Sequence, residues 1–399
     1  MSRIEDMIKK LCPNGVEFKT IKDVVSITRG IRVVRNQLHE TGKYPVYQNS
    51  LRLMGYYDKC NCEPNTTFII GAGSAGEIGY SAIDFWAADD CFVFNCSDNL
   101  VSRYLYFVLL SQQKKIVSQV RKASVPRLGR AVVENLIIPV PPIEIQNEIV
   151  NILDKFTELE AELEAELEAR RKQYEYYRNK LLNFSDFDEQ YSESVKWCKL
   201  SDLGVFYGGL TGKSKSDFTD GNVKFVTYMN VYSNIAIDTN IKDMVKIAEG
   251  EKQNKIEYGD VVFTGSSETP EDCGMSSVLT VEPSENLYLN SFCFGFRLND
   301  KTILLPDFMK FLFRSENVRK QIVKTASGVT RFNVSKKRFG EVVIPIPLMA
   351  EQQRIVDILD KFEKLVNGIS EGLPAEIAAR CQQYEYYRDK LLTFPKINA

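Results

Sequence analysis

Histidine is almost missing from this sequence: His39 stands alone among 399 residues. Imidazole-based nucleophilic catalysis and metal sites with several histidine ligands therefore have no material to draw on. The nine cysteines are scattered, the nearest pair being Cys60 and Cys62. No CxxC or Cys/His cluster with zinc spacing occurs, so the thiols read as reduced. No run of about 18 apolar residues offers a membrane span. The opening MSRIEDMIKKLC puts acids and lysines where a secretory leader needs an apolar stretch, so a cytoplasmic protein is expected.

What is present begins with size. The chain is long enough for two or three domains, and its hydrophobic (44%) and charged (26%) fractions are those of a globular protein. The formal net charge of -2 hides an uneven distribution: residues 1–143 carry +5, 144–194 carry -8, 195–348 carry +2 and 349–399 carry -1. The acid is concentrated in one segment, which leaves room for basic surfaces elsewhere.

A tandem repeat organises the chain. IVNILDKF (Ile149 to Phe156) recurs as IVDILDKF (Ile355 to Phe362), and QYEYYRNKLLNF (Gln173 to Phe184) as QYEYYRDKLLTF (Gln383 to Phe394). LIIPVPPIEIQ precedes the first copy and VVIPIPLMAEQ the second. The first blocks are offset by 206 residues and the second by 210, so copy two holds four extra residues between them. A repeat of this length dictates architecture.

Both copies read as helices. Ile149, Ile152, Phe156, Leu159, Leu163, Leu167, Arg170, Tyr174, Tyr177 and Leu181 fall at steps of three and four, the spacing of one helical face. A continuous helix from Glu144 to Leu182 would be roughly 58 Å long, the length of a spacer or coiled coil. In the second copy Gly368, Gly372 and Pro374 predict a kink or break with a restart near Pro374. Two such helices pair most simply antiparallel about a pseudo-twofold axis. Fainter repeats precede them: VEFKTIKDV with VKWCKLSDL, ADDCFVF with LNSFCFGF, and SVPRL (Ser124 to Leu128) with GVTRF (Gly328 to Phe332). These segments alternate short β-rich runs with turns, and each closes on one short helix, Ser102 to Gln119 or Pro306 to Val323.

IPxP, a Gln, ILDKF and QYxYYRxxLL, twice in one chain, resemble the specificity subunit of type I restriction-modification enzymes along the whole length. The ELEAELEAELEA run (Glu158 to Ala169) is similar to the tetrapeptide repeats of one class of these subunits. The resemblance implies an α+β fold with two repeated β-rich target-recognition domains, residues 1–143 and 185–348. Two long antiparallel coiled-coil helices, 144–184 and 349–399 with a kink near 368–374, separate them pseudo-symmetrically. It implies a noncatalytic subunit that binds double-stranded DNA, each domain reading one half of a split asymmetric target. The helices set the gap and dock two methyltransferase subunits, and restriction subunits then join. Adenine N6 as the methylated position, and S-adenosylmethionine, ATP and Mg as needs of the partner subunits alone, follow from the resemblance too.

Phosphate contacts are expected where basic residues crowd: Lys114, Lys115, Arg121, Lys122, Arg127 and Arg130 in the first domain, and Arg314, Arg319, Lys320, Lys324, Arg331, Lys336, Lys337 and Arg338 in the second. A solvated helix face is the plainer account. Arg127 and Arg331 form the matched pair. Base reading needs paired donors or acceptors on exposed loops. Candidates are Arg29, Arg32, Arg35, Gln48, Asn49 and Arg52, then Lys213, Lys215, Tyr228, Asn230, Ser266, Ser267 and Glu268, against polar hairpin rims and turns as the alternative.

Two glycine-rich stretches suggest other chemistry. GAGSAG (Gly71 to Gly76) matches GxGxxG but no amphipathic helix follows, so a glycine turn is expected. GGLTGKS (Gly208 to Ser214) is one residue short of a Walker A loop, and its lysines suit DNA phosphate better. No NPPY-like or DPPY-like adenine-methyltransferase motif occurs. A nucleotide- or S-adenosylmethionine-dependent DNA enzyme, and a coiled-coil adaptor that never touches DNA, are the competing readings.

Overall fold

The structure is a computed structural model that describes residues 2–184, 195–368 and 371–397. It resolves into two compact units, one made of the residues up to Ala165 and those from Glu376 on, the other of Glu166–Ala375. The expected boundary at residue 185 lies outside the described residues. Among those residues no helix is long and apolar enough to cross a membrane.

The first unit opens with the helix Ser2–Leu11. Strand Glu17–Thr20 then pairs antiparallel with Ile137–Val140, setting Phe18 opposite Pro139. Thr20 and Asp23 cap a single turn, Ile21–Val24, which swings the chain into a four-stranded antiparallel sheet. Its order is Val25–Arg29, Cys91–Cys96, Thr66–Ile70, Ile78–Ser81. The strand Thr66–Ile70 is buried from Thr67 on, with Phe68, Ile69 and Ile70 apolar and the Thr67 hydroxyl donating to Ser102 O. A smaller three-stranded sheet joins Gly55–Tyr57, Tyr44–Tyr47 and Trp86–Ala87.

The second unit repeats this plan. Lys196–Lys199 pairs with Val343–Ile346, setting Trp197 opposite Pro345. The four-stranded sheet runs Gly204–Gly208, Cys293–Leu298, Val261–Thr264, Ser276–Val278, the same order as in the first unit. ADDCFVF and LNSFCFGF take identical places, since Cys91 lies opposite Ile70 and Cys293 opposite Thr264. Gly30 and Gly209 are also equivalent: a side chain at either would strike backbone carbonyls, Ala88 O at 2.2 Å or Asn290 O at 2.1 Å.

Each of the two expected short helices is in fact a pair: Ser102–Ser111 with Gln113–Ser118, and Pro306–Leu312 with Glu316–Val323. The cause is local. Ser111 Oγ donates to Val108 O and Ser315 Oγ to Leu312 O, so a hydroxyl takes a terminal carbonyl and closes the first helix of each pair.

The long helix is continuous over Ile143–Leu181. Nine of the ten positions assigned to its inner face are at least partly buried, Tyr177 being the exception. In the second copy the helix stops at Asn367 and a new one starts at Leu373. Gly372 has φ 93°, and a Cβ there would lie 2.3 Å from Lys364 O, so glycine is required at the break.

Within each unit the ILDKF block of one copy packs against the QYEYYR block of the other. In the first unit Phe156 stacks on Tyr387 (centroids 5.5 Å apart, 27°) and lies 6.4 Å from Tyr384. Cys381 Sγ donates to Glu160 there, so the two helices run antiparallel. In the second unit Phe362 stacks on Tyr177 (5.5 Å, 24°) and lies 6.5 Å from Tyr174.

Candidate nucleic-acid interface

In the first unit a loop cluster gathers at the end of the central strand. Residues Arg121 and Arg127 exchange two backbone hydrogen bonds, of 2.8 and 3.1 Å, and so close a hairpin. That hairpin lies along the glycine turn: Leu128 N donates to Gly71 O and Gly73 N to Pro126 O. Ser74 N donates to Asn49 O, which brings in the loop holding Gln48, Asn49 and Arg52. Arg121, Lys122, Arg127, Asn49 and Arg52 are all exposed. Lys114 and Lys115 are exposed on the helix Gln113–Ser118, whose Gln113 side chain donates to Gly76 O. The sequence scatters these residues over 80 positions, and the turn at Gly71 collects them.

The other first-unit candidates differ in freedom. Arg29 ends its strand with Nε donating to Asp89 O at 2.5 Å, whereas Arg32 and Arg35 are exposed on the next loop. Arg130 belongs to the turn Arg130–Glu134 and pairs with Glu134 at 2.7 Å. Gln48 is half-buried.

The second unit builds the same cluster. Val334 N donates to Gly265 O as Leu128 N does to Gly71 O, and Ala326–Ser327 pairs with Phe332–Val334 to form the equivalent hairpin. Strand Ser266–Ser267 lies beside it. Here one sequence expectation needs correction. The hydrogen bonds make Leu128 equivalent to Val334 and therefore Arg127 equivalent to Asn333, so Arg331 stands two residues earlier, in the place of Val125. The likeness of SVPRL to GVTRF is out of register by two, because side-chain similarity in a short hairpin carries no information about which carbonyl each amide meets.

Behind this hairpin lies an open cavity of about 610 Å³ whose lining includes Tyr228, Ser266, Ser267, Glu268 and Arg331. The second-unit candidates thus converge, joined by residues the sequence did not single out: Tyr232, Asp272 and Phe292. Tyr228 stacks on Tyr232 (6.1 Å, 14°) and donates to Ser266 O at 2.9 Å, and Tyr232 OH donates to Asp272 at 3.0 Å. The recurrence of LNSFCFGF could have pointed to Phe292, next to the aligned cysteine. Lys324, Lys336 and Lys337 are exposed around the hairpin and the turn Lys336–Phe339, with Lys336 Nζ 5.6 Å over the Phe294 ring.

Several basic residues are spent internally. Arg314 donates to the carbonyls of Ser276, Val231, Tyr232 and Asn234, and burial pulls its pKa down to about 10. Arg319 donates to Gly274, Glu271 and Cys273 carbonyls. Both staple loops through backbone carbonyls. Lys320 pairs with Glu316 at 2.5 Å. Asn230 uses its amide on Asp238 and Asn234, holding a turn. Lys213, 8% exposed, meets Glu251 at 2.6 Å, and this bond with that of Gln253 holds the Glu251 carboxyl down to about 2. Lys215 and Arg338 remain exposed.

Neither glycine-rich stretch is built to cradle phosphate. The Gly71–Gly76 turn joins two antiparallel strands, with no helix behind it, and the amides of Gly71, Gly73, Ser74 and Gly76 all donate to backbone carbonyls. Around Gly208–Ser214, Gly209 and Leu210 donate to carbonyls, Thr211 to Gln253 and Ser214 to Asp217. No cluster of three or more His, Cys, Asp or Glu side chains suited to a metal occurs among the described residues.

The glutamine after each proline motif is a buried clamp. Gln146 donates to Asn99 O and Pro141 O and accepts from Val101 N; Gln352 donates to Ile303 O and Pro347 O and accepts from Leu305 N. Each ties the start of a long helix to the loop before the helix Ser102–Ser111 or Pro306–Leu312 of its unit. The aspartates of the two ILDKF blocks make a second tie, Asp154 to Arg103 at 2.7 Å and Asp360 to Lys310 at 2.9 Å.

Comparison with known proteins agrees with this duplicated plan. The family model described as the type I restriction modification DNA specificity domain matches residues 13–169 and again 193–379. A putative type I restriction enzyme specificity subunit of Haemophilus influenzae is 31% identical, over 97% of this chain and 97% of its own. The specificity subunit of the Escherichia coli type I enzymes EcoR124I and EcoR124II is 32% identical over 76% of this chain and 74% of its own. Among solved structures, the S subunit from M. genitalium superposes with a TM-score of 0.58 at 17% identity, covering 95% of this chain and 96% of that one. A chain solved in work on complex assembly and conformational transition of the type I R-M system gives 0.62 at 14%, covering 95% and 97%. With its domain matched twice and a relative aligned from end to end, the chain belongs to the DNA specificity family of type I restriction-modification systems.

Proposed function

We propose that this chain is the noncatalytic specificity subunit of a type I restriction-modification enzyme, and that each unit reads one half of a bipartite asymmetric target in double-stranded DNA. The observation that carries this is the recurrence of one loop cluster in both units, a hairpin hydrogen-bonded to the glycine that ends the central strand. Two readers on one scaffold with different side chains fit two different short boxes. The paired helices set the gap and supply docking sites for two methyltransferase subunits, restriction subunits join them, and the assembly works in the cytoplasm. Adenine N6 methylation, with its S-adenosylmethionine, and cleavage, with ATP and Mg, belong to the partners; this chain uses no cofactor of its own.

The test is single-molecule mapping of methylated adenines in a host that carries this chain and its methyltransferase. One bipartite motif, absent when the chain is deleted, is the expected result. Methylation that persists without the chain would refute the reading. Binding of labelled S-adenosylmethionine or ATP by the purified chain would favour the enzyme alternative, and DNA binding insensitive to salt, or none, would favour the adaptor.

A further inference from the structure

The internal duplication allows the two units to be compared position by position. The scaffold is held constant: Gly71 with Gly265, Cys91 with Cys293, and the hairpin bridge Arg121 to Arg127 with Ser327 to Asn333. Three positions that face one another in the second unit differ completely. Arg331, Ser266 and Phe292 stand where the first unit has Val125, Ala72 and Asp90. These three form one device. Ser266 Oγ accepts from Arg331 Nε at 3.2 Å and from Nη2 at 3.0 Å, and the guanidinium lies 5.4 Å from the Phe292 ring centroid.

Arg331 is thereby fixed without being neutralised. Among the described residues no carboxylate pairs with it, although Arg103, Arg130, Arg297, Lys213, Lys310 and Lys320 are all ion-paired. Its side chain is exposed at the mouth of the cavity, while Ser266 is 6% exposed. The fork toward Ser266 uses one edge of the guanidinium, which leaves Nη1 and the outer face of Nη2 as two parallel donors. That is the pattern which meets O6 and N7 of guanine in the major groove. The same pair of donors can also meet a phosphate, and the response of single guanines separates the two contacts.

We infer that Arg331, held by Ser266 and Phe292, reads one guanine in the half-site of the second unit, and that the first unit has no equivalent contact. The inference rests on the specificity-subunit reading above, and its test separates the two. Methylation mapping of the unaltered complex first establishes the bipartite motif; absence of any motif would sink the functional reading itself. With the motif known, Arg331→Ala relaxes one G·C position in one box and leaves the other box unchanged, discrimination there falling about tenfold or more. Ser266→Ala, which frees the arginine without removing it, weakens selection at that same position. Independently of any variant's folding, 7-deazaguanine placed in turn at each guanine of both boxes lowers binding by the unaltered complex at one site, and the Arg331→Ala complex is indifferent to that substitution. A box pair in which no guanine responds to the loss of N7 overturns the inference. So does a uniform loss of affinity in Arg331→Ala, with the salt slope reduced by about one, the mark of a phosphate contact.

Discussion

At the scale of single residues, charge alone is a poor guide to function in this chain. Lys213 and Arg331 are both basic candidates, but Glu251 takes the charge of the first and, among the described residues, no carboxylate pairs with the second. Lys213→Ala should therefore leave the salt dependence of DNA binding unchanged at neutral pH, while Glu251→Gln should steepen it by about one. The pairing has a defined pH window. Because the Glu251 pKa is lowered to about 2, its contribution to folding is present above the normal glutamate range and is lost as pH falls through that value. Gln146 makes the other residue-scale prediction. Gln146→Leu strands Val101 N and two carbonyls in a fully buried site, at a cost of about 2–4 kcal/mol. Urea denaturation should show it, and an unshifted midpoint would mean that water replaces the clamp.

At the scale of elements, the long helix is where sequence periodicity was most reliable. Its apolar stripe, its start near Glu144 and its end near Leu182 were all legible, because a helix is specified by neighbours three and four residues apart. The break in the second copy was legible for the same reason, as Gly368 and Gly372 lie inside an otherwise helical pattern. Deleting Leu163 to Glu166 removes one tetrapeptide from the continuous helix, shortening it by about 6 Å and turning its downstream half by about 40° beyond a full turn. Methylation mapping should then report both boxes intact and the gap shorter by about one or two base pairs; altered boxes with an unaltered gap would exclude the spacer role. The division of each short surface helix into two was not legible, because periodicity continues through Gln112 and Phe313. The serine hydroxyls that close the first helix of each pair act on carbonyls only three residues back.

At the scale of the whole molecule, each unit is completed by helix from the other repeat. Tyr384 and Tyr387 cover Phe156, and Leu391, Leu392 and Phe394 are buried in the core of the first unit. Ending the chain after Ala375 should strip protection from amides of the first unit, measured by hydrogen exchange, and leave the second unit's sheet protected. Equal protection in both would show that the C-terminal helix adds little to the first unit. What the sequence by itself determined is the duplication: two copies of one domain and helix, the helical stripes, and through them the family, since these signals are local or are read by comparing the chain with itself. What only the tertiary structure decided is which charges are free and how the hairpins align. Arg314 and Arg319 turned inward, Arg331 did not, and Arg127 proved to match Asn333, because hydrogen-bond register and ion pairing are set by partners scores of residues away.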